Sequence, residues 1–188
     1  MMLASQTIDI VPLRIDDLKQ FIKSRAQFEN KYNLKPSGLE LNQAYKEELN
    51  EAVERTPEVW HNKSSDYLFH TLWVFIHRRQ KVIIGQFIFN GIPNRDGEVE
   101  IFFSIEKPFR QNGYATEVVQ AIMDWASQEE SFKTLLVEAD LNNKAAMASL
   151  KRVGFKRAGH PDDDNEVEIT KYYKTIKRQP AIEELDFD

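Results

Sequence analysis

Residues 98–115 read EVEIFFSIEKPFRQNGYA, and this stretch decides how the chain folds. Its first half alternates along a strand, with Glu100 on one face and Ile101 on the other. A turn with Pro108 and Gly113 follows, and an amphipathic helical pattern begins at once. The unpaired amides and the dipole of such a helix start favour a negatively charged ligand. A plain turn that only relieves backbone strain has the same pattern, so both interpretations stay open.

The segments on either side predict an α+β fold. Strands are expected at 7–13, three times within 71–105, at 134–140 and near 166–176; helices are expected at 16–28, 39–55, 113–128 and 144–153. Asp16 and Asp17 are expected to cap the first helix, and Gly154 is expected to end the last one. Residues 56–66 read as a loop. The whole predicts a single domain over residues 1–179, followed by a mobile acidic tail, 180–188.

Composition narrows the function classes. The chain of 188 residues carries 25 Lys plus Arg against 30 Asp plus Glu, a net charge of -5, which disfavours binding to nucleic acid or anionic membranes. Its lack of cysteine excludes disulfides, thiolate nucleophiles and Cys-based zinc sites. The acidic run at 160–168 lacks the spacing of a calcium loop, so we expect a solvated turn and no metal site. Without an apolar run of about 20 residues, we expect a cytoplasmic protein.

Several motifs together resemble one family. The pattern Arg110-x-x-Gly113-x-Ala115 is similar to the [QR]-x-x-G-x-[GA] signature of the GNAT N-acetyltransferase superfamily. Residues 98–119 resemble its fourth strand, acetyl-CoA loop and third helix. Residues 137–159, VEADLNNKAAMASLKRVGFKRAG, resemble its fifth strand, fourth helix and closing Gly-Phe pair. The likeness covers about residues 71–176 and is similar to the bacterial branch near the ribosomal-protein N-terminal acetyltransferases.

This resemblance implies a three-layer fold and a cofactor site. A mixed twisted sheet of about six or seven strands would be flanked by about four helices and would splay between its fourth and fifth strands. Acetyl-CoA would be the co-substrate, with its pantetheine arm in the splay beside backbone groups of Ser104 and Ile105. Asn143 would contact the same arm, cap the following helix, or do both. The pyrophosphate would lie on the amides of the loop, with Arg110 adding positive charge; these amides belong to Gln111, Asn112, Gly113, Tyr114, Ala115 and Thr116.

The chemistry of acetyl transfer requires a neutral amine, whereas a free lysine amine with a pKa of about 10.4 is protonated at neutral pH. Glu100 is the candidate base, because it matches an acidic position recurrent in the family; a solvated strand carboxylate is the alternative. Glu138 is a weaker second candidate. The tyrosine that many relatives use as an acid is replaced by Leu150. Ser149 is adjacent, and water or Tyr114 are further candidates for this role.

The sequence therefore predicts an N-acetyltransferase that moves an acetyl group directly to a primary amine of a small molecule or a peptide, as a monomer or a homodimer. Two other functions stay open. One is a noncatalytic acyl-CoA-binding module that has lost its acid, and the other is a protein-interaction domain on the same scaffold. Because fold does not determine substrate, the acceptor does not follow from these motifs.

Overall fold

The computed structural model describes residues 2–38, 40–41, 43–55, 57–61, 65–158 and 169–177. Its strands are β1 (Leu3–Ala4), β2 (Ile8–Pro12), β3 (Leu72–His77), β4 (Val82–Phe89), β5 (Glu98–Ile105), β6 (Thr134–Asp140), β7 (Lys156–Arg157) and β8 (Ile169–Thr175). Its α-helices are α1 (Ile15–Lys23), α2 (Arg25–Lys31), α3 (Gln43–Arg55), α4 (Pro57–His61), α5 (Tyr114–Ala126) and α6 (Lys144–Arg152). Short 3-10 helices occupy Ser65–Phe69 and Lys107–Phe109. The expected α+β class with a mixed sheet is confirmed.

The sheet has the order β1-β2-β3-β4-β5-β6-β8-β7. Strands β1 to β5 form an antiparallel meander, and β5 pairs with β6 in parallel. The described residues contain eight strands rather than six or seven. The two strands that were not predicted are β1 and β7. Each has only two residues, which is too short to give an alternating sequence pattern.

Hydrophobic side chains cover both faces of the sheet. One cluster packs α5 against β3, β4, β5 and β6, and it contains Trp73, Ile101, Val118 and Leu135. The other packs α1, α2 and α3 against the opposite face. Alternation along β5 explains the division, because Val99, Ile101 and Ile105 belong to the α5 side while Phe102 remains 47% exposed on the other.

The first helical region differs from its prediction. A single helix over 16–28 is wrong, because Ser24 adopts an extended backbone and its side chain accepts a hydrogen bond from the Gln27 amide at 3.3 Å. Capping by the two aspartates is also wrong. Arg14 is the N-cap and makes no side-chain cap hydrogen bond. Asp17 instead bonds Lys31 of α2 at 2.8 Å, which ties the two helices together.

Other boundaries moved for local reasons. The helix predicted from residue 39 begins at Gln43, and the predicted loop 56–66 contains α4, which starts with a proline at a position where helices tolerate it. Gly154 ends α6 as expected, with φ +89° and a hydrogen bond from Phe155 N to Leu150 O at 3.0 Å. The predicted turn at 160–168 and tail at 180–188 lie outside the described residues.

Candidate active site

A cleft opens in the middle of the sheet where β5 and β6 part. The two strands pair only at their beginnings, and the last registered pair is Glu100 with Leu136. Beyond that pair they share no described ladder contact, so backbone groups of both strands face the gap. A cavity of about 310 Å³ fills it, bounded by Phe103, Ser104 and Val137 and closed by one side of α6. The cleft can therefore hold an extended ligand between the edges of β5 and β6.

The loop from β5 to α5 has an unusual backbone. Gln111 has φ +66° and Gly113 has φ +81°, so two residues of the short turn are left-handed. Such alternation aims successive N–H groups into one concavity that suits anions. A non-glycine residue in this region costs of order 1 kcal/mol, which the surrounding structure must sustain.

Side chains of the loop satisfy its carbonyl groups. Arg110 Nε donates to the carbonyl of Ile105 at 2.8 Å. Asn112 Nδ2 donates to the carbonyls of Phe109 and Arg110 at 3.1 and 3.0 Å. The Thr116 amide is also occupied, since it donates to the carbonyl of Gly113 at 3.0 Å. Hydrogen bonds to its backbone carbonyls thus hold the loop in place, while most of its backbone amides remain available to a ligand.

The free donors run from Gln111 to Ala115. No acceptor within the described part of the chain meets these amides, and a Cβ added to Gly113 would find no atom within 4 Å. A second cavity of about 360 Å³ lies beside them and continues into the first, with Arg110, Ala115 and Ser149 lining both. Open amides at the start of a helix next to a slot between strands fit a ligand with a phosphate head and a long, amide-bearing arm.

Residues 8–156 match the family model described as the acetyltransferase (GNAT) domain. The chain belongs to the GNAT family. Among curated proteins, this GNAT chain is 28% identical over 83 residues to YjdG of Bacillus subtilis (strain 168), named an uncharacterized N-acetyltransferase. The aligned part covers 44% of the chain and 49% of that relative, so the match spans about half the length of the curated protein.

Solved structures share the fold across nearly the whole chain. An acetyltransferase from Salmonella typhimurium that modifies the N-terminal serine of a 50S ribosomal subunit protein aligns at a TM-score of 0.62 and 15% identity, covering 94% of this chain and 100% of its own. Spermidine N-acetyltransferase from Vibrio cholerae, in complex with CoA and spermine, aligns at 0.59 and 14% identity, covering 90% and 96%. These likenesses establish the GNAT fold of this chain.

The remaining residues expected at the cofactor are brought to the same cleft. Ser104 and Ile105 lie on the β5 edge, and Asn143 lies at the start of α6; all three line the 310 Å³ cavity. The side-chain oxygen of Asn143 accepts from the Ala146 amide at 3.0 Å, so its capping role is present. Its amide nitrogen has no partner among the described residues, which leaves a donor for a ligand.

Glu100 and Glu138 lie on the same face of neighbouring strands, because the Glu100–Leu136 pair sets the register. One oxygen of Glu100 accepts from Asn90 Nδ2 at 2.9 Å. The other, Oε1, is buried and has no hydrogen-bond partner within the described residues. Glu138 lines the cavity itself, but its carboxylate forms an ion pair with Lys171 at 3.2 Å. Glu100 therefore has an unsatisfied acceptor at the last β5–β6 pair and is not among the residues that line either cavity, whereas Glu138 lines the cavity wall.

The position expected to hold an acid is apolar. Leu150 is 3% exposed, packs into the core and touches the 310 Å³ cavity. Ser149 lines both cavities, so its hydroxyl is on the cleft side of α6. Tyr114 lines the second cavity, of about 360 Å³, and its ring lies perpendicular to that of His77 with the two centroids 5.5 Å apart.

A buried ion network behind the loop was missed by sequence reasoning. Arg25 and Glu29 are 3% and 1% exposed and bond each other at 2.9 Å, and Arg25 also bonds Glu106 at 2.6 Å. Burial raises the pKa of the Glu106 carboxyl, an effect that Arg25 opposes. The Arg25–Glu29 spacing of four was the available signal, but nothing local distinguishes it from an exposed helix pair. The network joins α2 to the residue that immediately follows β5.

Two further findings concern the described residues only. They contain no group of three or more His, Cys, Asp or Glu side chains placed to hold a metal ion. None of their helices combines the length and apolar character that crossing a membrane requires.

Proposed function

We propose that this protein is an acetyl-CoA-dependent N-acetyltransferase that transfers an acetyl group directly to a primary amine of a small molecule or a peptide. One observation carries the proposal: the splay between β5 and β6 leads directly to the free amides at the start of α5. Coenzyme A has the matching shape, a pyrophosphate followed by a narrow arm with two amides. CoA in the structurally similar spermidine N-acetyltransferase supports this assignment.

The geometry supports the following assignment of residues to the coenzyme. The amides of Gln111 to Ala115 would bind the pyrophosphate, and the strand edge at Ser104 would pair with the arm. Asn143 would add its free side-chain donor. Acetyl-CoA supplies an acetyl group activated as a thioester.

Glu100 would prepare the acceptor. A protonated amine has no lone pair for attack, and the free Oε1 of Glu100 can take a proton from it directly or through water. The amine nitrogen would then bond to the acetyl carbon, the carbon–sulfur bond would break, and the sulfur would leave with the bonding pair. The nitrogen would lose a second proton, and the sulfur would gain one. Ser149 or water would relay this proton to the sulfur, because Leu150 has no proton to give. A backbone N–H of the free β5 edge would stabilise the charge that develops on the acetyl oxygen.

Calorimetry with CoA, followed by release of free thiol from acetyl-CoA in the presence of an amine library, tests the proposal. We expect CoA binding and thiol release that depends on an amine and yields acetylated product. Absence of heat with CoA would refute coenzyme binding. Tight binding without turnover on any amine would instead indicate an acyl-CoA-binding module.

A further inference from the structure

The charged side chains that line the second cavity, of about 360 Å³, are positive, whereas the whole molecule is negative. The chain has a net charge of -5, yet the described residues that line this cavity include Arg110 and Arg152 and no carboxylate. Its α5 wall is the free-amide loop, and its α6 wall carries Ala145, Ala148 and Arg152. Two cations facing five free amides, with no acid between them, favour a polyanionic ligand.

The two arginines differ in how free they are. Arg110 is exposed, but its Nε donates a hydrogen bond to the carbonyl of Ile105 at 2.8 Å, so it supports the turn. Arg152 is exposed and makes no ion pair or side-chain hydrogen bond with any described residue. It follows Ala145 and Ala148 at intervals of seven and four, which places all three on one side of α6. The small alanines leave room for a ligand to reach the guanidinium.

The alternative is a purely structural role for Arg152, because a cation near a helix C-terminus interacts favourably with the helix dipole. Lys151 tests this role, since it is exposed, lies in the same last turn and does not line the cavity. Any effect of the dipole is shared by both residues, whereas an effect on the ligand belongs to Arg152 alone.

We propose that Arg152 binds a phosphate of the coenzyme from the α6 side of the cleft, opposite the amides of the loop. This inference rests on the proposed function. A planar guanidinium can contact two phosphate oxygens at once, which suits it to bind a phosphate. The coenzyme offers two sources of this chemistry, the pyrophosphate and the 3′-phosphate of the ribose.

Calorimetric titration of the whole chain with CoA and with 3′-dephospho-CoA separates these sources. We expect Arg152→Gln to weaken CoA binding about tenfold, with Lys151→Gln within about twofold of the unchanged protein. A loss confined to CoA assigns Arg152 to the 3′-phosphate, and an equal loss for both ligands assigns it to the pyrophosphate. Raising the salt concentration is expected to weaken binding less in Arg152→Gln than in Lys151→Gln.

Equal CoA affinity for Arg152→Gln and Lys151→Gln would overturn the inference while leaving the proposed function intact. No binding of CoA by the unchanged protein would instead refute the proposed function itself. Because Arg152 is exposed, both variants are expected to keep the unfolding midpoint of the unchanged protein, which thermal unfolding checks directly.

Discussion

Glu100 is half-buried at the point where β5 and β6 part, and one of its carboxylate oxygens is a buried, unused acceptor. Its Oε1 has no partner among the described residues, while Oε2 is held by Asn90. Glu100→Gln keeps the shape and removes the proton acceptor, so we expect kcat to fall about 100-fold or more with little change in CoA affinity. The rate of thiol release, measured as a function of pH, would lose the acidic limb that reports deprotonation of the general base.

Two carboxylates near Glu100 serve as controls. Glu98 points to the same face of β5 but is hydrogen-bonded to Asn94 at 3.2 Å, and we expect Glu98→Gln to keep kcat within about threefold. Glu138→Gln removes the wall carboxylate, whose partner is Lys171. A larger fall in kcat for Glu138→Gln than for Glu100→Gln would transfer the role of base to Glu138.

Gly113 has two properties that one substitution can separate: a left-handed backbone, and no side chain in front of the free amides. Its φ of +81° favours glycine, but asparagine also tolerates this region, and a Cβ here meets no protein atom within 4 Å. We expect Gly113→Asn to cost less than about 1 kcal/mol of unfolding free energy. The new side chain would occupy the space in front of the amides, so CoA affinity should fall at least about tenfold by calorimetry.

Gly91 provides the matched control for Gly113. It lies in the turn between β4 and β5 with φ +80° and open space around its Cβ, outside both cavities of the cleft. Gly91→Asn should lose as much stability as Gly113→Asn and no CoA affinity. Equal affinities for the two variants would mean that Gly113 serves the turn alone.

At the scale of elements, the Arg25 network joins the helical layer to the cofactor loop. Arg25 on α2 holds Glu29 and also Glu106, which follows β5 and precedes the loop. Arg25→Met would leave two carboxylates in a buried site without their cation. We expect the free energy of unfolding in urea to fall by about 3–5 kcal/mol at pH 7.

An exposed pair of the same kind is the control for Arg25. Arg55 and Glu51 are also four apart on a helix, with side chains 71% and 62% exposed. Arg55→Met is expected to change the free energy of unfolding by no more than about 0.5 kcal/mol. Similar costs for Arg25→Met and Arg55→Met would show that the buried network contributes no more than a surface pair.

The sequence could predict the features that depend on local residue patterns, but not those that depend on single hydrogen bonds or tertiary contacts. Strand β6 was predicted residue for residue, and β5 with its glycine turn was predicted from alternation and turn chemistry, which are local properties. The break at Ser24 was missed because one capping hydrogen bond decides it against a continuous apolar pattern. Arg25 was missed because its burial depends on Glu106, a contact across the tertiary structure. Arg152 was missed because only the tertiary structure places α6 across one cavity from the start of α5.

On the scale of the whole molecule, the splay divides the sheet into β1–β5 and β6–β8, joined by a short parallel ladder. Helix α5 begins at the cleft and is anchored at the far edge of the larger half. Its Glu117 accepts hydrogen bonds from Ser5 Oγ at 2.6 Å and from Thr7 N at 2.5 Å. The turn of helix that presents free amides is thereby fixed to the start of the chain.

The Glu117 anchor predicts a pH dependence of stability. Burial alone would raise the pKa of this carboxyl, but the hydrogen bonds from Ser5 and Thr7 outweigh it and hold the pKa below its ordinary value. Such a group stabilises the fold above its unfolded pKa of about 4.3 and loses that contribution as the pH falls through the lower folded pKa. We expect Glu117→Gln to cost about 1–2 kcal/mol at pH 7, with the deficit shrinking below about pH 4. Urea unfolding across this range measures it, with Asp124→Asn on the exposed side of α5 as the control. A deficit that persists unchanged to about pH 3 would show that the charge of Glu117 does not hold the anchor.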